Sequence, residues 1–271
     1  MGGCHTGREA PLEQRFWQLY RDFFDMAERR RRWSLRDDIP WDQTNPSLAP
    51  QVADVVESFC AVELYLPDYT SKILPVVRPS RGRTWFYANW GYEESKHSLA
   101  LGDWLLRSHS RTDEQMCDVE RGVIEGQWNL PHGSQLGMLV YAMTQELATW
   151  LAYRNLGRRT AEHGGDPALE KLLTLLAVDE RAHHDFFRRC VAVYLEHDRA
   201  GTLEQMRRVM NDFAMPAIHE LADSRRRVRD IQELDVMSQD LYYREVYLPI
   251  LATLGVDRRE MRDRSPAKKS A

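Results

Sequence analysis

Glutamate followed three residues later by histidine occurs twice in this chain, as Glu94-Ser95-Lys96-His97 and as Glu180-Arg181-Ala182-His183. Three residues is nearly one helical turn, so on a helix both side chains of each pair leave the same face, where carboxylate and imidazole can grip one metal ion. Ahead of each pair lies a glutamate embedded in apolar sequence: Glu63 within Phe59 to Leu66, and Glu146 within Leu139 to Ala148. A carboxylate buried in such a run without a partner costs several kcal/mol. A metal ion supplies that partner. The interval from Glu63 to Glu94 is 31 residues and that from Glu146 to Glu180 is 34. The chain therefore reads as one helix hairpin written twice, and the six donors meet only if the two hairpins pack against each other.

Any one of these residues alone would read as a solvated carboxylate or an ordinary histidine. Together, Glu63, Glu94, His97, Glu146, Glu180 and His183 give the pattern of the ferritin-like carboxylate proteins that hold two irons or two manganese ions. Oxygen donors with two imidazoles suit iron or manganese better than zinc. The expected fold is all-α: a ferritin-like helical bundle with a four-helix di-iron core and additional helices. Glycine (15) and proline (12) are sparse, and no alternating Val/Ile/Thr runs occur, which agrees. The first helix is predicted from Leu12 to Trp33, with Phe16, Leu19, Phe23 and Met26 on one face. Others are predicted at about 50–77, 83–108, 113–125, 134–163, 167–197, 202–229 and 235–254. His163-Gly164-Gly165-Asp166-Pro167 reads as a stop, a turn and a restart, with Asp166 as N-cap. A single domain over residues 1–271 is expected, with residues 1–10 and 257–271 as flexible tails.

The charge balance, 37 basic against 41 acidic residues, argues against a nucleic-acid binder working by bulk charge. No apolar run approaches the roughly 20 residues that span a membrane. Four scattered cysteines without a C-x-x-C pair make a disulfide framework unexpected, and a cytoplasmic location fits them. The opening Met-Gly-Gly-Cys-His-Thr matches the N-myristoylation pattern, with Cys4 as a conceivable second acylation site.

Several strings resemble those of the soluble acyl-acyl carrier protein desaturases, the stearoyl-type enzymes of plastids and their bacterial relatives. Trp90 to His97 is similar to W-x-x-E-E-x-x-H and Glu63 to Tyr69 to E-x-x-x-P-x-Y. Gln145 to Thr149 is similar to Q-E-x-A-T and Asp179 to His183 to D-E-x-x-H, with Met215-Pro216-Ala217 as a further echo. The resemblance runs from about Trp33 to Arg229. It implies a di-iron enzyme, with two Fe ions per chain, that uses O2 and two electrons from ferredoxin or a similar donor. The enzyme removes two hydrogens from an acyl chain tethered to acyl carrier protein, and it is a homodimer. It also implies catalytic roles for Thr149, one turn beyond Glu146, where the hydroxyl serves the oxygen chemistry, and for Trp33, where electrons enter. Asp230 occupies roughly the position of the acidic partner of that tryptophan. The alternative for Thr149 is a helix threonine bonding the carbonyl four residues back.

Ser98 stands where the plant enzymes have glycine, and chain-length preference does not carry over. Met138, Leu139 and Met143, candidates to line an acyl tunnel, read equally as plain core. Two arginine groups, Arg29 to Arg32 and Arg225, Arg226, Arg227 and Arg229, offer a basic surface for an acidic carrier. Two further readings keep the bundle. One is a related di-iron hydroxylase or oxygenase acting on a carrier-bound or free acyl group. The other is an iron store, for which this chain is too long.

Overall fold

The computed structural model describes residues 10–262. Helix α1 (Ala10–Arg30) is followed by a loop with one 3-10 turn (Trp41–Gln43). Then come α2 (Pro50–Glu63), α3 (Leu66–Val77), α4 (Arg81–Arg107), α5 (Asp113–Glu125), α6 (Gln135–Glu162), α7 (Pro167–His197) and α8 (Arg199–Met210). Shorter pieces complete the chain: α9 (Pro216–Glu220), α10 (Ser224–Glu233), α11 (Gln239–Leu241), a π turn (Tyr242–Tyr247) and α12 (Leu248–Leu254). Among the described residues no strand forms. The core is the ferritin-like four-helix unit, in which α2 runs along α4 and α6 along α7, with α4 also against α7. Helix α1 lies across α4 and α7. Its approach to α4 is backbone to backbone at Gly82, where an added Cβ would lie 2.3 Å from the Phe16 carbonyl carbon. Only glycine fits there without a shift.

Local sequence explains where the helices start and stop. At the α6–α7 turn Gly164 and Gly165 take positive φ (122° and 71°), Asp166 accepts from the Leu169 amide at 2.8 Å, and Pro167 opens α7. The helix predicted over 50–77 is two helices. Pro67 lacks an N–H and its ring would strike the carbonyl of residue 63, so α2 ends at Glu63 and α3 restarts at Leu66. The helix predicted over 202–229 is three, interrupted before Pro216 and again at Asp223, which has φ 56°. Its replacement by α9 and α10 builds one wall of the cavity described below. In the last helical stretch, the π turn precedes Pro249, where an α-helical ladder would meet the proline ring.

Helix α1 stops at Arg30, three residues short of the predicted end; Arg31 still bonds the Ala27 carbonyl, and Arg32 and Trp33 continue as a loop. Within residues 257–262, expected as part of a flexible tail, Met261 is buried and Glu260 accepts from Arg199 at 2.9 and 3.0 Å, while the others are exposed. The expected tail segment 263–271 and the acylation pattern with Gly2 and Cys4 lie outside the described residues. Among the described residues no helix is long and apolar enough to cross a membrane.

Candidate metal centre

Four bundle helices each deliver one glutamate to a single buried point. Glu63 is the last residue of α2, Glu94 sits mid-way along α4, Glu146 on α6 and Glu180 on α7; His97 and His183 follow one turn after Glu94 and Glu180. All six are buried, and both imidazoles have no exposed surface. Their ligand atoms form two groups, Glu63, Glu94, His97 and Glu180 in one and Glu94, Glu146, Glu180 and His183 in the other, with the atoms of each group within 4.8 Å of one another. Glu94 and Glu180 belong to both groups. Nδ1 of His97 lies 3.2 Å from Glu94 and 3.4 Å from Glu180, and Nδ1 of His183 lies 3.0 Å from Glu94 and 3.3 Å from Glu146.

The donor set fits metal rather than protein partners. Glu94 Oε1, Glu146 Oε2, His97 Nδ1 and His183 Nδ1 are buried and, despite this closeness, have no hydrogen bond of acceptable geometry. Buried polar atoms are ordinarily satisfied. Four orphans converging on one point are what a cation between them would resolve. Burial pushes the Glu63 carboxyl up to about 8, with the Glu94 charge adding to the effect. Burial likewise raises Glu180, reinforced by Glu94 and Glu146. Burial also raises Glu94, but His97 and His183 outweigh it and hold this carboxyl low. Both histidines stay high against burial because carboxylates surround them.

These shifts have a consequence for metal-free protein. A folded Glu63 keeps its proton up to about pH 8, whereas unfolded it loses it near the ordinary carboxylate value of about 4.3. The folded state thus binds more protons through that window, and stability falls as pH rises. The raised histidines act in the same sense, their contribution fully present below about pH 6.5 and lost above it. The melting temperature of chelator-treated protein is expected to fall between pH 5.5 and 9, and the fall is expected to vanish with metal bound, which replaces the protons. A melting temperature that rises over this range without metal would contradict the arrangement.

Around the six lie partners that the sequence reading did not assign. Trp90 Nε1 donates to Glu146 at 3.1 Å, and the Tyr153 hydroxyl donates to Glu63 at 2.6 Å. His183 Nε2 is 2.7 Å from Glu93, and His97 Nε2 is 3.5 Å from Asp179. The available signal was the acidic residue directly before each Glu-x-x-His, which is Glu93 in one case and Asp179 in the other.

Trp33 is buried, and its Nε1 donates to Asp179 at 2.7 Å. Its acidic partner is therefore Asp179 and not Asp230, which accepts from Arg226 one turn earlier at 3.0 Å, an ordinary pair within one helix. The arginine groups also divide by face. Arg31 and Arg227 point inward, the first to Glu93 and Asp179 and the second to Glu57 at 2.8 Å and Ser58 at 3.0 Å. Arg29, Arg30, Arg225 and Arg229 remain exposed.

A cavity of about 230 Å³ opens beside the carboxylates. Its lining brings together Glu63, Glu94, Glu146 and Glu180, Ala148, Thr149 and Ala152 of α6, Met215 just ahead of α9, Ile218 of α9, and Val228 and Ile231 of α10. Thr149 faces this space while its hydroxyl donates to the Gln145 carbonyl at 3.1 Å. The helix-threonine expectation is thus met, in a residue that lines the cavity. Met138, with Tyr69 and Trp90, lines a smaller void beyond Glu146, while Leu139 and Met143 are core.

Residues 41–261 match the family model described as fatty acid desaturase. The chain is 25% identical over 252 residues to DesA1 of Mycobacterium tuberculosis, named as an acyl-[acyl-carrier-protein] desaturase, covering 84% of this chain and 72% of that one. It is 32% identical over 175 residues to the chloroplastic stearoyl-[acyl-carrier-protein] 9-desaturase 6 of Arabidopsis thaliana, covering 59% of this chain and 43% of that protein. In fold it is similar to the crystal structure of DesA2 from Mycobacterium tuberculosis H37Rv, described as an acyl-ACP desaturase, with TM-score 0.69, 18% identity, and 93% and 97% of the two chains covered. An R2-like ligand-binding oxidase with a Mn/Fe cofactor aligns with TM-score 0.60 at 17% identity, covering 94% and 100%.

Proposed function

The chain belongs to the acyl-acyl carrier protein desaturase family of fatty acid desaturases, and from that premise we propose that it is an O2-dependent enzyme that introduces a double bond into an acyl chain carried on acyl carrier protein. The observation that carries this reading is the largely apolar cavity lined by all four glutamates of the cluster. An unactivated C–H bond resists acid–base chemistry, so the oxidising chemistry would come from bound metal and O2, with the protein supplying position and a dry channel. Glu63, Glu94, His97, Glu146, Glu180 and His183 would hold two Fe ions, which supply the oxidising power when reduced and exposed to O2. The reaction balances as one O2, two electrons and two protons taken up, two hydrogens removed from adjacent carbons, and two waters released.

This chain's own residues set the geometry. Glu94 and Glu180, which belong to both groups of ligand atoms, would serve both metals; Trp90 and Tyr153 each hold one oxygen of Glu146 and Glu63. The hydrogen bonds from Trp33 to Asp179 and on towards His97 support Trp33 as the point where electrons from ferredoxin or a similar donor enter. Arg225 and Arg229 are exposed on α10, whose Val228 and Ile231 line the cavity, so this half of the basic residues is the one suited to an acidic carrier. A homodimer is supported by α4, where Trp85, Tyr92 and Leu99 stand in steps of seven residues and are 52%, 56% and 59% exposed, a stripe of the kind that partner helices cover.

The test is incubation of iron-loaded protein with acyl carrier proteins of several chain lengths, ferredoxin and its reductase, followed by mass spectrometry of the acyl group. Loss of two mass units is expected, with turnover falling as salt rises; a gain of sixteen would instead establish the hydroxylase alternative. Thr149→Val keeps shape and removes the hydroxyl of a residue that lines the cavity. Iron content and fold are expected to persist while product formed per O2 consumed drops. An unchanged ratio measured by oxygen uptake would leave Thr149 with only its bond to Gln145.

A further inference from the structure

Arg31 lies outside the duplicated hairpins and ahead of residues 41–261, which the family model matches, yet it touches both halves of the centre. Its side chain is 7% exposed. Nη2 donates to both oxygens of Glu93 at 3.1 Å, and Nη1 bonds Asp179 Oδ1. One face of the guanidinium rests on Phe23, 4.9 Å from the ring centroid, and Phe23 in turn packs against His183. Arg31 sits in the closing turn of α1, its amide still bonded to the Ala27 carbonyl at 3.0 Å, and the chain leaves the helix after it.

The two carboxylates that Arg31 holds are crossed between the halves. Glu93 is on α4 beside His97 but bonds His183 of α7; Asp179 is on α7 but faces His97 of α4. Each carboxylate faces the Nε2 of one imidazole, which turns Nδ1 of that ring towards the centre, where a metal would take it. Two anionic side chains, each 1% exposed, need a shared cation to stay close and ionised. A guanidinium is a rigid planar fork that can bond two carboxylates in fixed directions, where an ammonium is only a point charge. Arg32 adds a bond to Glu93, and Trp33 one to Asp179, but neither reaches both.

Resting on the reading of the six-residue cluster as a two-metal centre, we propose that Arg31 is a positioning residue that couples the two metal positions: by gripping Glu93 and Asp179 at once, it sets the orientation of both His97 and His183. Its loss weakens both positions together, while loss of either carboxylate weakens chiefly one.

Anaerobic titration of the full chain with Fe(II), and with Co(II) for its ligand-field absorption, tests this in Arg31→Met, Arg31→Lys, Glu93→Gln and Asp179→Asn. Arg31→Met is expected to lower affinity about 10- to 100-fold at both positions, the range for loss of a partner behind a metal ligand, and to shift both Co(II) bands. Arg31→Lys, which keeps charge without the fork, is expected to fall between. In protein already carrying Glu93→Gln and Asp179→Asn, adding Arg31→Met is expected to cost little more, because the partners it acts through are gone. Far-UV circular dichroism guards against misfolding; should Arg31→Met fail to fold, Arg31→Lys and its combination with the two carboxylate variants decide the matter. Wild-type affinity at both positions, or weakening at only one, overturns the coupling. Failure of the unaltered chain to take up two metals would instead overturn the reading of the centre itself.

Discussion

Glu180→Ala is expected to abolish metal binding rather than halve it. Glu180 offers a ligand atom to both groups of four, together with Glu94, so its removal opens both metal positions at once. His97 belongs to one group only, and His97→Ala is expected to retain about one metal per chain. Metal analysis of the purified variants separates the two outcomes, with two metals in wild type as the reference. Turnover is expected to vanish in both, because the oxidising step needs both ions. Two metals per chain in Glu180→Ala would show that the carboxylate is a bystander, and the centre would have to be rebuilt from other residues.

Val228→Trp is expected to cut turnover by about 100-fold or more while leaving metal content unchanged. Val228 is half-buried on α10 and lines the cavity. It lies outside the four metal-bearing helices, so an indole there takes up passage space without touching a ligand. Misplacing a reacting chain by even ~1 Å is enough for losses of this order. The same variant should lose affinity for a long-chain acyl carrier protein and keep affinity for the carrier without its acyl group, which binding measurements can separate. Normal turnover in Val228→Trp would mean that the acyl chain reaches the centre by another route.

The two predictions rest on parts of the molecule that the sequence revealed to very different degrees. Glu180 and its five companions were legible because a helix converts spacing into direction: three residues is a turn, and a glutamate within an apolar stretch has nowhere polar to go unless something cationic meets it. The Asp166-Pro167 restart was legible for a related reason, since capping and proline stereochemistry act within four residues. Val228 as a cavity wall was not legible. A continuous helix over 202–229 would have carried it elsewhere, and the breaks before Pro216 and at Asp223 that fold α9 and α10 over the centre come from packing onto α2 as much as from local propensity.

The assignments around Trp33 show the same division. That Trp33 would meet an acid followed from the resemblance, but Asp230, 197 positions later in the chain, was the wrong one, and Asp179 lay unassigned beside a ligand. The run Arg29 to Arg32 looks uniform in the sequence and is not so in space: two of its members are exposed, while Arg31 and Arg32 reach Glu93, and Arg31 reaches Asp179 as well. By itself, the sequence determined the class of fold, the six residues that meet in the buried cluster and their pairing along each helix, because these depend on periodicities of one or two turns. The crossing of Glu93 to His183 and of Asp179 to His97, the arginine that joins them, and the cavity above were decided only by the tertiary structure. Each is a contact between segments tens of residues or more apart, set by how α1, α4, α7 and α10 pack.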